Sequence, residues 1–355
     1  MKTLTRLLSA AALASLFALS SFAQDAPAAA NPCESAERTD LYTRYYEQKK
    51  NTRDQAPAFE TAKQYLAKYE TACPDQYSQA VRKFHDAYEK ALGEVNTQKA
   101  WSEAVNAKDA RKAFETGRAL LAKEPDNVGI YLLNAFTGYN AVLPKGPNAN
   151  DPALTAETIA AANKVIEMLQ AGKEPKDATG KVNWGAFKNR DEAMAWAHYW
   201  LGTLQYKTDP AGAVSHMVAV AQSNSSVKEE PTVYTVLAAA LEPERLRLTE
   251  EYKKFNEEND QTRILYANIN QNLDRQIDAY ARAVAYEKDA ATKTKWMDIL
   301  KELYKARHNS EEGLQAKIDA ARTTPVLVTT PITTPPPVPT PTPAANGQTT
   351  PEKKP

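Results

Sequence analysis

Apolar residues recur along most of this chain at intervals of three and four, which is the spacing of one face of an α-helix. The longest stripe of this kind consists of Leu265, Ile269, Leu273, Ile277, Tyr280 and Val284. Runs of β-branched residues are few, and the 355 residues include only 12 glycines. The pattern therefore predicts an all-α fold.

The same spacing predicts where several helices begin and end. Two separate helices are expected at 75–92 and 96–105, and Thr155 is expected to cap a helix that ends at Gln170. A short apolar helix at 233–241 precedes a strongly charged stretch, which we expect to face solvent. Two irregular insertions also interrupt the helices.

The stretch 193–231 predicts two antiparallel helices joined by a tight turn. The first helix carries Trp196, Trp200, Leu201, Gly202 and Leu204 at helical spacing. Asp209 supplies an N-cap for the second helix, and Pro210 is its first residue. Small residues at Gly202 and Ala213 allow the two helices to approach closely.

This hairpin resembles a tetratricopeptide repeat. Leu201-Gly202 hold the Leu-Gly positions of the family's first helix, and Tyr206 lies one residue past its Tyr position. The second-helix positions of the family correspond to Ala213, Met217 and Val220. A similar second-helix spacing occurs at Ala62, Leu66, Tyr69 and Pro74, and again at Ala113, Gly117, Leu120 and Pro125. These two places are about 50 residues apart, so the repeats are degenerate or separated by insertions.

The resemblance implies an α-solenoid that binds a protein or peptide partner in a concave groove lined by the first helix of each hairpin. Carried over from Leu201-Gly202, it places on the groove side Trp196, Tyr199, Thr203, Tyr206 and Lys207. An alignment through Ala135 adds Phe136, Tyr139 and Asn140. The alternative is that these aromatic rings fill space between adjacent hairpins.

The insertions at 143–152 and 172–192 have two interpretations. Long insertions in a solenoid often lie on its working face. They are equally well explained as tolerated surface loops.

The N-terminus has the features of a cleavable secretory signal. Lys2 and Arg6 form a short basic region before a mostly apolar stretch at 7–22, and the triplet 21–23 fits a cleavage site after Ala23. An N-terminal membrane anchor is the alternative. No other stretch approaches the ~20 apolar residues that a membrane span needs. We therefore expect a secreted or periplasmic protein without a stable membrane span after signal cleavage.

The chain has two cysteines, Cys33 and Cys73. Behind a secretory signal, an even cysteine count predicts one disulfide between them. Two free thiols are the alternative. No histidine lies near either cysteine in the sequence, so we expect no metal site there.

The predicted organisation has five parts. These are a signal peptide at 1–23, a flexible leader at 24–32, tetratricopeptide-like repeats at 33–242, a C-terminal helical region at 243–322 that continues the solenoid, and a tail at 323–355. The tail holds 10 of the 22 prolines. Its Pro/Thr-rich composition predicts an extended, disordered spacer.

Charge and motifs exclude several classes of function. Cleavage of the signal takes two from the 44 basic residues and leaves 42 against 44 acidic ones, without a basic stripe, so we expect no nucleic-acid partner. No catalytic or phosphate-binding motif is present, and we expect neither enzymatic activity nor a cofactor or metal. His198 and His216 belong to one hairpin and could approach each other, with packing as the favoured interpretation.

These observations leave three hypotheses. The first is a tetratricopeptide-like scaffold that binds a protein or peptide partner in a helical groove. The second is a glycan- or small-ligand-binding protein of the cell envelope. The third is a cell-wall lytic enzyme on a helical superhelix, which ranks last because no motif supports a catalytic domain.

Overall fold

The computed structural model describes residues 31–177 and 179–337, and this part of the chain is all-α, as predicted. It contains twelve α-helices, and its sole β-type pairing is an isolated bridge between Lys176 and Val182. The helices are α1 (Ala36–Lys49), α2 (Ala56–Tyr69), α3 (Gln76–Asn106), α4 (Ala110–Leu121), α5 (Val128–Val142), α6 (Pro152–Gln170), α7 (Arg190–Gln205), α8 (Pro210–Gln222), α9 (Pro231–Tyr252), α10 (Asp260–Tyr286), α11 (Ala290–His308) and α12 (Leu314–Ala320). The predicted signal peptide and residues 24–30 of the leader lie outside the described residues.

Three helix boundaries differ from the sequence-based predictions. The two helices expected at 75–92 and 96–105 form one continuous helix, α3. The short helix at 233–241 and much of the charged stretch after it also form one helix, α9, which contains Pro243. α6 begins at Pro152 rather than after Thr155, because the Asp151 side chain accepts a hydrogen bond from the Leu154 N–H.

The described part of the chain divides into two compact units, with the boundary between Val95 and Asn96. This boundary lies within α3, inside the segment predicted as a single row of repeats. The other predicted boundary, at residue 243, falls inside α9 and therefore does not separate two structural elements.

The first unit has a core of aromatic and aliphatic residues from α1, α2 and the start of α3. Cys33 and Cys73 form the predicted disulfide, with their Cα atoms 5.5 Å apart. Nearby, the buried Arg38 side chain donates to the Tyr65 hydroxyl at 2.9 Å and pairs with Asp75 at 2.5 Å. The hydrogen bond from Arg38 contributes most to lowering the pKa of Asp75. The disulfide and this polar network therefore secure the same end of the α1–α2 hairpin.

In the second unit, consecutive helices pack against each other from α4 to α11. Further contacts join α5 with α7, and α7 with α9. The hairpin predicted at 193–231 is present as α7 and α8, joined by a short turn. Its second helix begins as predicted, because Asp209 accepts a hydrogen bond from the Gly212 N–H at 3.0 Å.

Glycines allow the closest approaches between these helices. A Cβ at Gly202 would lie 2.7 Å from Met217 Cε, which belongs to α8. A Cβ at Gly138 in α5 would lie 2.2 Å from Thr158 Oγ1 in α6. Thr158 is fully buried, and its hydroxyl donates to the Leu154 carbonyl. A side chain at Gly138 would therefore force the two helices apart or break this hydrogen bond.

The beginning of the predicted disordered tail is an ordered extended segment, which corrects that prediction for residues 323–332. Val326 is buried in the main core cluster of the second unit. The Ile332 N–H donates to the Asn268 side chain of α10 at 2.8 Å. Residues 338–355 lie outside the described residues, so the predicted spacer is untested there.

The contact at Gly138 gives a prediction for stability. Gly138→Ala is expected to lower the free energy of unfolding by about 1–3 kcal/mol, because overpacking outweighs the gain in helix propensity. Gly93→Ala in α3 is the control. Apart from the backbone of its own helix, nothing lies within 4 Å of the added Cβ, so this change should stabilise the chain by up to ~1 kcal/mol. Denaturant unfolding of both variants checks the prediction, and a Gly138→Ala protein as stable as the parent would contradict it.

Candidate binding cleft

The second unit contains an open cleft of about 1200 Å³ beside the N-terminal half of α5. One wall comes from the turn between α4 and α5, and another from the insertion that follows α6. Residues near the end of α3 complete the lining. The lining side chains include Gln98, Trp101, Glu124, Asn127, Leu133 and Asn183.

Hydrogen bonds fix the base of the cleft. Asn127 caps α5 by accepting from the Ile130 N–H at 3.3 Å, and its amide donates to Glu124 at 2.8 Å. Trp101 donates through Nε1 to Asn134 at 2.9 Å, and Asn134 is buried. Gly117 makes room for this amide, because a Cβ there would lie 2.4 Å from Asn134 Nδ2. The end of α3, α4 and α5 therefore meet around one satisfied buried amide.

The insertion forms an ordered loop over the cleft. The Asp177 carboxylate accepts from both the N–H and the hydroxyl of Thr179, at 2.8 and 2.7 Å. The side-chain hydrogen bond from Thr179 is the largest cause of the lowered pKa of Asp177. The Asn183 N–H also donates to the Pro175 carbonyl at 2.9 Å. These bonds hold the loop in a narrow, hairpin-like path.

Ion pairs attach the insertion to its surroundings. Lys173 pairs with Asp126 of the α4–α5 turn at 2.6 Å, and this hydrogen bond lowers the pKa of Asp126. Glu174 pairs with Arg190 at the start of α7 at 3.2 Å. The charged lining consists of Glu124, Asp126, Glu174 and Asp177, with Lys173 and Lys176. Among the lining side chains themselves, carboxylates outnumber lysines by four to two.

An aromatic cluster lies farther along α5. It consists of Phe136, Tyr139, Phe187, Trp196, Tyr199 and Trp200. Trp200, which is 1% exposed, contacts Phe136, Tyr139, Phe187 and Trp196. Phe136 is 39% exposed and follows the cleft residue Leu133 by three positions on α5. The exposed part of the cluster therefore extends the cleft side of α5.

The structure places the predicted groove residues in two groups. Phe136, Tyr139, Trp196 and Tyr199 all belong to the aromatic cluster. Tyr139 and Tyr199 are 7% and 9% exposed, and their rings lie 6.0 Å apart between α5 and α7. These two tyrosines thus mainly fill space between hairpins, whereas Phe136 and the half-buried Trp196 retain accessible surface.

The remaining predicted residues lie at the C-terminal ends of α5 and α7. The Asn140 amide donates to the Phe136 carbonyl, and the Thr203 hydroxyl donates to the Tyr199 carbonyl, both at 2.8 Å. Lys207 lies over the ring of Tyr206, with Nζ 5.5 Å from its centroid. The side chains of Asn140 and Thr203 therefore form hydrogen bonds to the backbone of their own helices.

Sequence reasoning named Trp200 only as a residue of the hairpin's first helix, and it did not assign Phe187 or the side chains that line the cleft to a site. The available signal was the insertion at 172–192, for which a working face was one of two interpretations. The structure brings the insertion to the α4–α5 turn, which is far from it in sequence.

His198 and His216 approach each other across the α7–α8 hairpin. Their Nδ1 atoms are 2.9 Å apart, so one ring donates and the other accepts. Burial lowers the pKa of His198 to about 4, with a further contribution from His216. Burial also lowers the pKa of His216, against the opposing charge of Asp209. Both rings are therefore held neutral at pH 7.

One group of possible metal ligands occurs within the described residues, in the first unit. His85, Asp86 and Glu89 offer ligand atoms within 4.8 Å of one another on α3. Asp86 pairs with Arg82 and with His85, whose ring stacks on Phe59. Asp86 therefore already has partners among neighbouring side chains.

Comparison with known proteins found no matching family model, no matching curated protein and no matching solved structure. Among the helices between residues 31 and 337, none combines the length and apolar character needed to cross a bilayer.

The aromatic cluster predicts unequal effects for two of the groove residues. Tyr199→Ala is expected to cost about 3–5 kcal/mol of unfolding free energy, because it empties a buried ring site. Lys207→Ala should change it by less than ~0.5 kcal/mol, because Lys207 is exposed. Denaturant unfolding measures both. Full stability of Tyr199→Ala would show that the ring does not support the packing of α5 and α7.

The histidine pair predicts a pH dependence of stability. The folded chain keeps His198 neutral down to about pH 4, whereas an unfolded histidine binds a proton below about pH 6.5. The unfolded state therefore binds more protons between these values, and stability falls as the pH drops through this window. Allowing for solvent screening, we expect a loss on the order of 1–2 kcal/mol.

His198→Gln should remove this part of the pH dependence. The exposed His308→Gln is the control and should leave it intact. The measurement is the free energy of unfolding at pH 7 and at pH 4.5 for the parent and both variants. Carboxylate titration contributes equally to all three proteins, so it cancels in the comparison. An identical loss in the parent and the His198→Gln variant would disprove the assignment.

Proposed function

We propose that this protein is a secreted or periplasmic α-solenoid that binds a peptide segment of a partner protein in the cleft beside α5. The observation that carries the proposal is the cleft itself, whose walls are formed by a helix turn and an ordered insertion. Segments of this kind, held on a helical scaffold, often carry binding functions in proteins.

The packing order of the helices supports the solenoid. Each helix from α4 to α11 packs on its neighbours in sequence, and α5, α7 and α9 also contact one another in turn. This is the order of contacts expected when helix hairpins stack in a row. The tetratricopeptide resemblance of α7 and α8 agrees with it, because Gly202 lies at a close contact between the two helices.

The lining indicates the chemistry of the ligand. The Gln98 side chain and the amide nitrogen of Asn183 can bond to main-chain groups of a peptide. The excess of carboxylates favours a segment that carries lysine or arginine. The exposed edge of Phe136 offers a place for an apolar side chain next to the cleft. We therefore propose a basic, extended peptide segment as the ligand.

The compartment follows from two features. The N-terminal sequence has the pattern of a cleavable signal, and the Cys33–Cys73 disulfide suits an oxidising environment.

A cell-envelope glycan is the second candidate. The partly exposed rings of Phe136 and Trp196 favour it, since sugar rings stack on aromatic faces. Selection from a peptide-display library and binding to a glycan array, both with the full chain, distinguish the two candidates. We expect enrichment of peptides with lysine or arginine and no glycan signal.

Charge reversal then tests whether the cleft is the site. Glu124→Lys should weaken binding of a selected peptide about tenfold and make binding less sensitive to salt, because it replaces an attractive cleft charge by a repulsive one. Glu115→Lys, on the exposed face of α4, is the matched control and should leave affinity near that of the parent. Equal losses in both variants would indicate only a general charge effect and would count against the cleft.

A further inference from the structure

The segment after α12 lies on α10 as an extended strand bound through its main chain. The Leu327 N–H donates to Asp278 Oδ2 at 3.1 Å. Asn268 makes two bonds to Ile332, accepting from its N–H and donating to its carbonyl, both at 2.8 Å. These hydrogen bonds are made to backbone groups of the strand, so they do not depend on which side chains the strand carries.

Arg282 holds the beginning of the same strand. Its guanidinium donates to the carbonyls of Ala321 at 2.6 Å, Thr324 at 2.9 Å and Pro325 at 2.6 Å. It also pairs with Asp278 at 2.8 Å, and both side chains are buried. Nearly the full donor capacity of this arginine is therefore used on Asp278 and the strand.

The groups that contact the strand belong to one polar stripe of α10. The stripe consists of Asn268, Gln271, Arg275, Asp278 and Arg282, at alternating steps of three and four. This spacing places them on one side of the helix, beside the apolar stripe that packs into the core.

The helix and the strand cover the same distance between their two shared contacts. Ten residues of α10 separate Asn268 from Asp278, or about 15 Å at 1.5 Å per residue. Five residues of extended strand separate Leu327 from Ile332, or about 16 Å at 3.3 Å per residue. The strand therefore runs antiparallel to α10, with about two helix residues for each strand residue.

This register brings two unsatisfied groups to the same level. Interpolation between these two anchors puts Thr329, two residues beyond Leu327, at the level of residues 274–275 of α10. Its Oγ1 is buried without a hydrogen-bond partner, and so is Nε of Arg275. Burial lowers the pKa of Arg275, as expected for a cation without a compensating charge. At its centre the strand thus gives Arg275 Nε neither a hydrogen bond nor a negative charge.

We propose that the polar stripe of α10 is a binding site for an extended peptide strand with an acidic side chain opposite Arg275, and that residues 324–332 occupy this site in cis. The chain's own segment binds because its tether gives it a high effective concentration. A strand that supplies a carboxylate at the Thr329 position also forms an ion pair with Arg275, and it therefore displaces the chain's own segment. This site is separate from the cleft beside α5, and the proposal does not depend on the function of that cleft.

The first test uses the full chain with a weakened cis strand. Leu327→Pro/Ile332→Pro removes the two strand N–H donors and leaves the α10 side chains unchanged. The probe is a fluorescein-labelled synthetic peptide of residues 323–337 carrying Thr329→Glu, measured by fluorescence anisotropy. It should bind this variant at least tenfold more tightly than it binds the parent chain.

Two comparisons test the role of Arg275. A peptide that keeps Thr329 should bind the double-proline variant about tenfold more weakly than the Thr329→Glu peptide, since a charge-assisted hydrogen bond is absent. Adding Arg275→Gln to the variant should abolish this difference. Equal affinities of the two peptides for the variant that retains Arg275 would overturn the proposal, as would absence of binding to a variant with intact helical content.

A second measurement decides the matter if the double-proline variant does not fold. In the otherwise unchanged full chain, Thr329→Glu should slow hydrogen exchange of the Leu327 and Ile332 amides about tenfold, and Arg275→Gln/Thr329→Glu should return it to the parent rate. Thr330→Glu, at the next and exposed position, is the control and should have no effect. Unchanged exchange in Thr329→Glu would overturn the assignment of Arg275 to the strand.

Discussion

Close contact between consecutive helices is the constraint on which the second unit depends. Three such contacts use glycine in the same way: Gly117 against Asn134, Gly138 against Thr158, and Gly202 against Met217. Asn134 and Thr158 are buried and have hydrogen-bond partners, so each close approach also satisfies a polar group in the core. The cleft depends on this arrangement, because α5 carries two of these contacts on one side and the cleft residues on another.

The all-α fold and most helices could be predicted because amphipathic spacing is a local signal. The α7–α8 turn could also be predicted from the sequence. Asp209 was expected to be the N-cap of the second helix and Pro210 its first residue, and the structure has both in these places. The failures occurred where tertiary packing overrides a local signal. Pro243 costs a helix about 3 kcal/mol, yet α9 continues through it, with Leu241 before it and Leu248 after it both buried. The local sequence shows the proline, but it does not show the packing against a neighbouring helix that offsets the loss of stability.

The site was less predictable than the fold. The groove residues were assigned by alignment with the tetratricopeptide repeat, and such an alignment does not reveal which side of a ring a neighbouring helix covers. Tyr199 is therefore buried while Phe136, assigned by the same reasoning, is exposed. The cleft depends on the pairing of Lys173 with Asp126, a contact between a loop and a turn that neither segment indicates alone. By contrast, the approach of His198 and His216 was foreseeable, because both belong to one short hairpin.

The Asp278–Arg282 pair shows why a buried charge can be retained where stability alone does not require it. Burial acts to raise the pKa of Asp278. Its interactions with Arg282, together with hydrogen bonds from the Leu327 N–H and Lys317, outweigh burial, so the pKa lies below the ordinary value. A well-packed apolar pair of similar volume would often be as stable, because desolvating two ions offsets much of their attraction. An apolar pair, however, offers nothing to an extended strand, whose carbonyls and N–H groups must be satisfied when they leave water. Arg282 bonds to three carbonyls and Asp278 to one N–H of the segment after α12. The charges thus make α10 a surface for a peptide backbone, a role that apolar side chains would not fill.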